Sequence, residues 1–201
     1  MDRKLLLRGL LSIYKYPIFS LVCNSASFLP LRRDIGRYFR RIDIPVSKFE
    51  AFCRVLQNEN ISSILRARLY DHRFAYRLFS IFFKSNPNIE ILTPPSNIGP
   101  GLIVYHHLGA VIRAKQIGAD VTISQGVTVG AGGGWDNNDS NNIPTIGNRV
   151  LIATNAIVIG NVTIGDDAII GAGAVITKDV PPGVVVVGNP QRIIKQSADC
   201  R

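Results

Sequence analysis

Cysteine is scarce in this chain of 201 residues: Cys23, Cys53 and Cys200 are odd in number and show no zinc or redox spacing. Three such residues do not make a disulfide framework, and they read as reduced thiols of a cytosolic protein. Long apolar runs are missing from the N-terminus. The opening "MDRKLLLRGLLSIYKYPIFSLVCNSASFLP" is interrupted by Arg8, Lys15 and Pro17, which disqualifies it as a secretion signal. Its longest uncharged window, residues 16–31, falls short of the roughly 20 apolar residues of a membrane span and contains Asn24 and three serines. A helical segment able to lie on a membrane surface is the expectation. Acidic residues are rare in the first half. Residues 1–89 hold 16 Lys or Arg against 6 Asp or Glu, net +10, whereas residues 90–201 hold 7 against 8, net −1. The cations are spread through apolar periodic sequence, so they read as a solvated face or a membrane-facing one and not as a nucleic-acid site.

What is present divides at residue 89. Before it, Phe49, Phe52, Val55 and Leu56, then Ile64, Leu65 and Leu69, then Leu78, Phe79 and Phe82 follow helical spacing, with Pro30, Pro45 and Pro87 as punctuation. A basic α-helical region over 1–89 follows. From Ile98 the period becomes six: Ile98 and Val104, then after a one-residue slip Val111, Ile117, Ile123 and Val129, and after an excursion Ile146, Ile152, Val158, Ile164, Ile170 and Ile176. Small or β-branched residues stand four places later at Val150, Ala156, Val162, Ala168, Ala174 and Val180, in hexads such as "IGNRVL", "IATNAI", "IGDDAI" and "IGAGAV". Two inward residues, one outward residue and a turn built on Gly, Asn or Asp make one side of a coil. Repetition stacks the coils into a parallel β-helix.

These hexads, with "IVYHHLGAVI", "IGADVTISQGVTVG" and "IGAGAVITKDVPPGVVVVGNPQRIIK", resemble the hexapeptide-repeat acyltransferases. The likeness is to serine acetyltransferases and their relatives of the colanic acid, surface-polysaccharide type, and it covers residues 90–195. The resemblance implies a left-handed parallel β-helix over 90–201, with a protruding loop at 135–145 and a C-terminal cap. It also implies acetyl-CoA as donor, no metal, a homotrimer or a dimer of trimers with active sites between subunits, and a cytoplasmic location, with the basic helices able to reach the inner membrane face. Handedness comes from the likeness alone, since parallel crossovers are ordinarily right-handed.

Acetyl transfer from a thioester to a hydroxyl needs a base for the hydroxyl proton, and a neutral imidazole suits that role near neutral pH. His106 and His107 fall on an outside corner of the coil. The family's base lies three residues before a glycine, which selects His106 before Gly109 and leaves His107 a secondary binding part. The family also implies a carboxylate that orients the imidazole. Glu90 is the candidate, although one extra residue separates it from Gly99 when the motifs are aligned. Resemblance to the sugar acetyltransferases assigns Thr154, Ala172, Thr177 and Lys178 to coenzyme A and Arg192 and Lys195 to its phosphates. Trp135 is a candidate to stack on a sugar or to pin its loop.

Two departures concern the acceptor. Tyr105 stands where serine acetyltransferases have an aspartate, and Ile143 stands where they have a histidine, so a hydroxyl-bearing saccharide is preferred over free serine. Serine O-acetylation remains the runner-up. A metal-dependent hydratase on the same coil would need three histidines where the coil holds one adjacent pair. A silent scaffold using the basic helices is the reading from outside enzymology.

Overall fold

The computed structural model describes residues 12–22, 25–39, 47–106, 109–133 and 142–196. A 3-10 turn at Ile13–Lys15 leads into α1 (Tyr16–Val22), α2 (Ser25–Tyr38), α3 (Lys48–Gln57), α4 (Glu59–Arg68) and α5 (Arg73–Phe82). Local chemistry sets several boundaries. Ser47 Oγ accepts the N–H of Glu50, three residues on, and starts α3, while Asn58 Oδ1 accepts from Asn60 and Ile61 and starts α4. Asn58 also donates its N–H to Arg54 at the end of α3, so one residue closes one helix and opens the next. Pro30 does not break the chain as its sequence position suggests: it lies inside α2, giving up a single intrahelical hydrogen bond in the helix's second turn. Pro87 does separate α5 from the first strand, and Pro45 lies outside the described residues.

The helical core gathers Phe19, Leu31, Ile35, Phe52, Val55, Leu65, Leu69, Phe79 and Phe83, with Phe49, Leu56, Leu78 and Phe82 packed against it. Ile64, counted with these by spacing, instead joins the core of the coil. Cys53 is buried among the helices as a free thiol, its pKa raised by burial. Cys23 and Cys200 lie outside the described residues.

Among the described residues fourteen strands follow: β1 (Ile89–Ile91), β2 (Ile103–Val104), β3 (Ala110–Ile112), β4 (Gln116–Ile117), β5 (Thr122–Ile123), β6 (Thr128–Gly130), β7 (Thr145–Ile146), β8 (Leu151–Ile152), β9 (Ile157–Ile159), β10 (Thr163–Ile164), β11 (Ile169–Ile170), β12 (Val175–Ile176), β13 (Val184–Val187) and β14 (Arg192–Gln196). From β2 to β12 they fall in turn on three faces: β1-β3-β6-β9-β12 on the first, β4-β7-β10 on the second, and β2-β5-β8-β11-β13-β14 on the third; between β12 and β13 the second face is met only by the bridge of Val180 to Ile164. Pairing is parallel throughout except β13 with β14. The result is a three-sided parallel β-helix whose interior is the stack of aliphatic residues the hexads predict. At the second corner adjacent coils approach so closely that a Cβ on Gly118 would fall 2.5 Å from the carbonyl of Gly147.

One in-frame residue departs from the expected pattern. Val111 is 42% exposed, and Ala110 and Ile112 on either side of it point inward. The apparent one-residue slip is the sum of two changes. The inward position moves eight places from Val104 to Ile112, two more than a hexad, and then five places from Ile112 to Ile117, one fewer. The inserted pair lies at the corner that carries His106.

Candidate active site

Four corners stack where the third face hands over to the first. Residues 124–126, 153–155 and 171–173 each turn in three residues, whereas 105–109 uses five. Backbone N–H groups join successive levels: Gly126 donates to Gly109, Asn155 to Gln125 at 3.0 Å and Gly173 to Thr154 at 2.9 Å. Left-handed residues recur at equivalent places, Gly109, Gly126, Asn155 and Gly173. The longest corner adds His106, with φ of 66°, exposed to solvent. A residue with a β-carbon holds that conformation only where its surroundings fix it. The carbonyls of Val104 and His106 both accept from Asn60 Nδ2, at 3.2 and 3.1 Å, and Asn60 itself is wholly buried on α4.

Tyr105, half-buried, places its ring 6.1 Å from the His106 ring and 5.5 Å from Tyr38 on α2. Beside them Arg37, its pKa lowered by burial, donates to the carbonyls of Gly101 (2.6 Å) and Val121 (3.0 Å) and to Thr122 Oγ1 (2.9 Å). His106 therefore stands next to an aromatic wall. His107 and Trp135 fall outside the described residues. The loop that carries Trp135 closes at its neck, where Asn142 Nδ2 donates to the Gly132 carbonyl at 2.6 Å and Ile143 is buried.

Glu90 is the middle residue of β1 and lies in register with Val111. Between β1 and Gly99 the chain makes a 3-10 turn at Pro95–Asn97. The Glu90 side chain is exposed and makes no hydrogen bond to His106 among the described contacts. It borders a shallow depression of about 210 Å³ lined also by Arg66, Tyr70 and Tyr76.

The residues assigned to the donor divide into two groups. Thr154 and Ala172 share the corner column of His106, two and three coils above it; at about 4.8 Å per coil this is roughly 10 and 14 Å. Thr177 and Lys178 turn at the next corner, after β12, and their N–H groups both donate to Gln191 Oε1, at 2.8 and 3.0 Å. Gln191 Nε2 donates back to the Lys178 carbonyl at 3.1 Å. Arg192 and Lys195 are exposed on β14, immediately beyond. No three His, Cys, Asp or Glu side chains are grouped as a metal ion requires, among the described residues.

Known proteins resemble this chain in sequence and in fold. The bacterial transferase hexapeptide (six repeats) family matches residues 143–178. The serine acetyltransferase of Bacillus subtilis (strain 168) is 36% identical over 177 residues, covering 85% of this chain and 78% of that one. The chain belongs to the serine acetyltransferase family. Membership makes it an acyltransferase. Among solved structures, Neisseria gonorrhoeae serine acetyltransferase in complex with serine is 28% identical with a TM-score of 0.60, over 88% of this chain and 73% of that one. A serine acetyltransferase in complex with CoA, 24% identical over 85% of this chain and 71% of that one, has the same TM-score of 0.60 and shares the fold.

Three residues of this serine acetyltransferase homologue escape a sequence-level search. Asn60 looks like one more polar residue on a helix, Tyr38 like a core aromatic, and Gln191 like part of a cap. Each acquires a role only from the side chain or backbone it meets across the fold.

Proposed function

We propose that the protein is an acetyl-CoA-dependent O-acetyltransferase that transfers acetyl to a saccharide hydroxyl of a surface-polysaccharide precursor. The observation that carries the reading is the Tyr38–Tyr105 wall beside His106, in a place where a carboxylate would suit the ammonium group of serine. Aromatic faces suit the C–H faces of a sugar ring. Burial of Ile143 supports the same preference, since a residue turned into the structure makes no contact with an acceptor.

In this mechanism His106 removes the proton of the acceptor hydroxyl, whose oxygen attacks the thioester carbonyl. The tetrahedral intermediate collapses with loss of coenzyme A as thiolate, and the proton held by His106 returns to it. No cysteine or serine nucleophile is required. Glu90 orients the imidazole when the exposed side chain swings toward it. Acetyl-CoA lies along the corner column past Thr154 and Ala172, with Thr177, Lys178, Arg192 and Lys195 toward its nucleotide end. His107 and Trp135 contact the acceptor.

The coil is read as left-handed, as the family implies, with 1–89 as the helical region and 90–201 as the coil. Exposed Leu92, Val111, Leu151, Ile193 and Ile194 give the coil apolar surface for a homotrimer. On α5, exposed Phe74 and Ile81 share a helical stripe with Arg77, and Arg73 flanks it; this suits a peripheral seat on an anionic membrane from the cytoplasmic side. No helix among the described residues is long and apolar enough to cross a membrane.

Serine is the second reading, favoured by the names of the relatives. The test follows free thiol release from acetyl-CoA with serine and a panel of sugars. Turnover with sugars, abolished to below about 1% in His106→Ala, is expected from loss of general-base catalysis. Fast turnover with serine and none with any sugar overturns the acceptor assignment, and full activity in folded His106→Ala overturns the base.

A further inference from the structure

The corner that carries His106 is braced by two buried amides that no part of the reaction uses. Asn60 commits its hydrogen-bonding groups in one geometry: Nδ2 donates to the Val104 and His106 carbonyls and Oδ1 accepts from Asn86 Nδ2 at 3.0 Å. Asn86, 2% exposed, is itself fixed. Its N–H donates to Ser63 Oγ at 2.9 Å, and its Oδ1 accepts from the Asn88 N–H at 3.0 Å. The Asn88 carbonyl then accepts the N–H of Ala110 at 2.8 Å, on the far side of the corner. One network thus grips the corner at its entrance, through Val104 and His106, and at its exit, through Ala110. The segment that closes the network continues directly into β1 and Glu90.

We propose that Asn60 is a positioning residue for His106, resting on the reading of His106 as base. The corner is two residues longer than those stacked above it, and among the described residues the backbone bonds that tie it to the next coil lie at its ends, from Tyr105 to Ile123 and from Gly126 to Gly109. An asparagine can place two donors on two carbonyls of one turn while accepting a third bond. Leucine has the same branched outline but no donor, so it would leave the buried Val104 carbonyl without its partner and release the His106 carbonyl. With the bond on its carbonyl removed, nothing anchors that carbonyl against rotation about the N–Cα bond of His106, and φ relaxes from 66° toward the ordinary negative range, carrying the imidazole away from the corner.

The experiment compares wild type with Asn60→Leu and with Phe79→Leu, a substitution in the helical core that lowers stability without touching the network. A merely structural role for Asn60 would make the two variants alike. The expected result is a kcat loss of about 100-fold in folded Asn60→Leu with the KM for acetyl-CoA unchanged within about twofold, as for a base displaced by roughly 1 Å. Phe79→Leu keeps kcat. Ring-labelled histidine NMR supplies a readout independent of turnover: the His106 resonance, assigned by its loss in His106→Gln, moves in Asn60→Leu while that of His72 stays. Asn86→Ala, which frees the Asn60 amide to rotate, serves if Asn60→Leu does not fold, and shifts the same resonance. An unmoved His106 resonance in a folded variant overturns the positioning role. A moved resonance in a protein whose turnover does not depend on His106 upholds the bracing and overturns the base.

Discussion

Tyr105 concentrates the question of the acceptor in one side chain. Its ring is held between His106 and Tyr38, at centroid distances of 6.1 and 5.5 Å, so it is a wall of the site and not a surface residue that happens to lie nearby. On the proposed reading, Tyr105→Asp removes that wall and puts a negative charge beside the candidate base. The saccharide kcat/KM is expected to fall about tenfold, the equivalent of about 1.4 kcal/mol, while activity toward serine rises in relative terms. Equal losses toward both acceptors in the steady-state comparison would refute a part for Tyr105 in selecting between them. At this scale the sequence draws the eye to a residue that departs from a motif, as Tyr105 does, and the structure shows only that its ring lies next to those of His106 and Tyr38. The sequence is silent on Asn60 and Gln191, because a single polar residue carries no period and the carbonyls that Asn60 holds lie 44 and 46 positions away, the groups that Gln191 holds 13 and 14.

Among the elements, the coil was legible and its one irregular corner only partly so. Twelve aliphatic positions in frame announce stacked strands because each coil repeats the same inward geometry. The insertion of two residues and the deletion of one nearly cancel in the count, which is why Val111 reads as inward and is exposed while Ile112 takes the interior. The helices follow their own period, but only the packed structure shows Ile64 crossing from one core to the other. The turn between β12 and β13 has a similar hidden support in Gln191, whose single oxygen collects the N–H groups of Thr177 and Lys178. Gln191→Ala releases that turn without removing a residue assigned to the donor. The KM for acetyl-CoA is then expected to rise by about fivefold, roughly 1 kcal/mol for a lost hydrogen bond, with kcat for the acceptor little changed. Initial rates over a range of acetyl-CoA concentrations decide it; an unaltered KM would mean that the turn does not need this tie to receive the donor.

At the scale of the whole molecule, the helical region finishes the coil. The first level of a β-helix has backbone groups with no coil beneath them, and here side chains from α2 and α4 supply the missing partners. Asp34 accepts from Gly101 and Leu102 at 2.7 and 2.9 Å, Arg68 donates to Ile98 and Gly99 at 3.2 and 2.9 Å, and Asn60 completes the row at Val104 and His106. Asp34 and Arg68 also bond each other in bidentate fashion, at 2.7 and 2.9 Å, with both side chains almost fully buried. Burial pushes the Asp34 carboxyl up, and the guanidinium and the two N–H groups oppose that shift. Arg68→Met leaves this carboxylate without its partner and is expected to cost about 3–5 kcal/mol in denaturant melts, the usual penalty for breaking a buried pair. Adding Asp34→Asn recovers part of the loss, because the amide oxygen still accepts from Gly101 and Leu102 and no charge is left stranded. If the double variant is instead less stable than Arg68→Met by the full cost of a second lesion, the pair does not act as the unit that joins the helices to the coil.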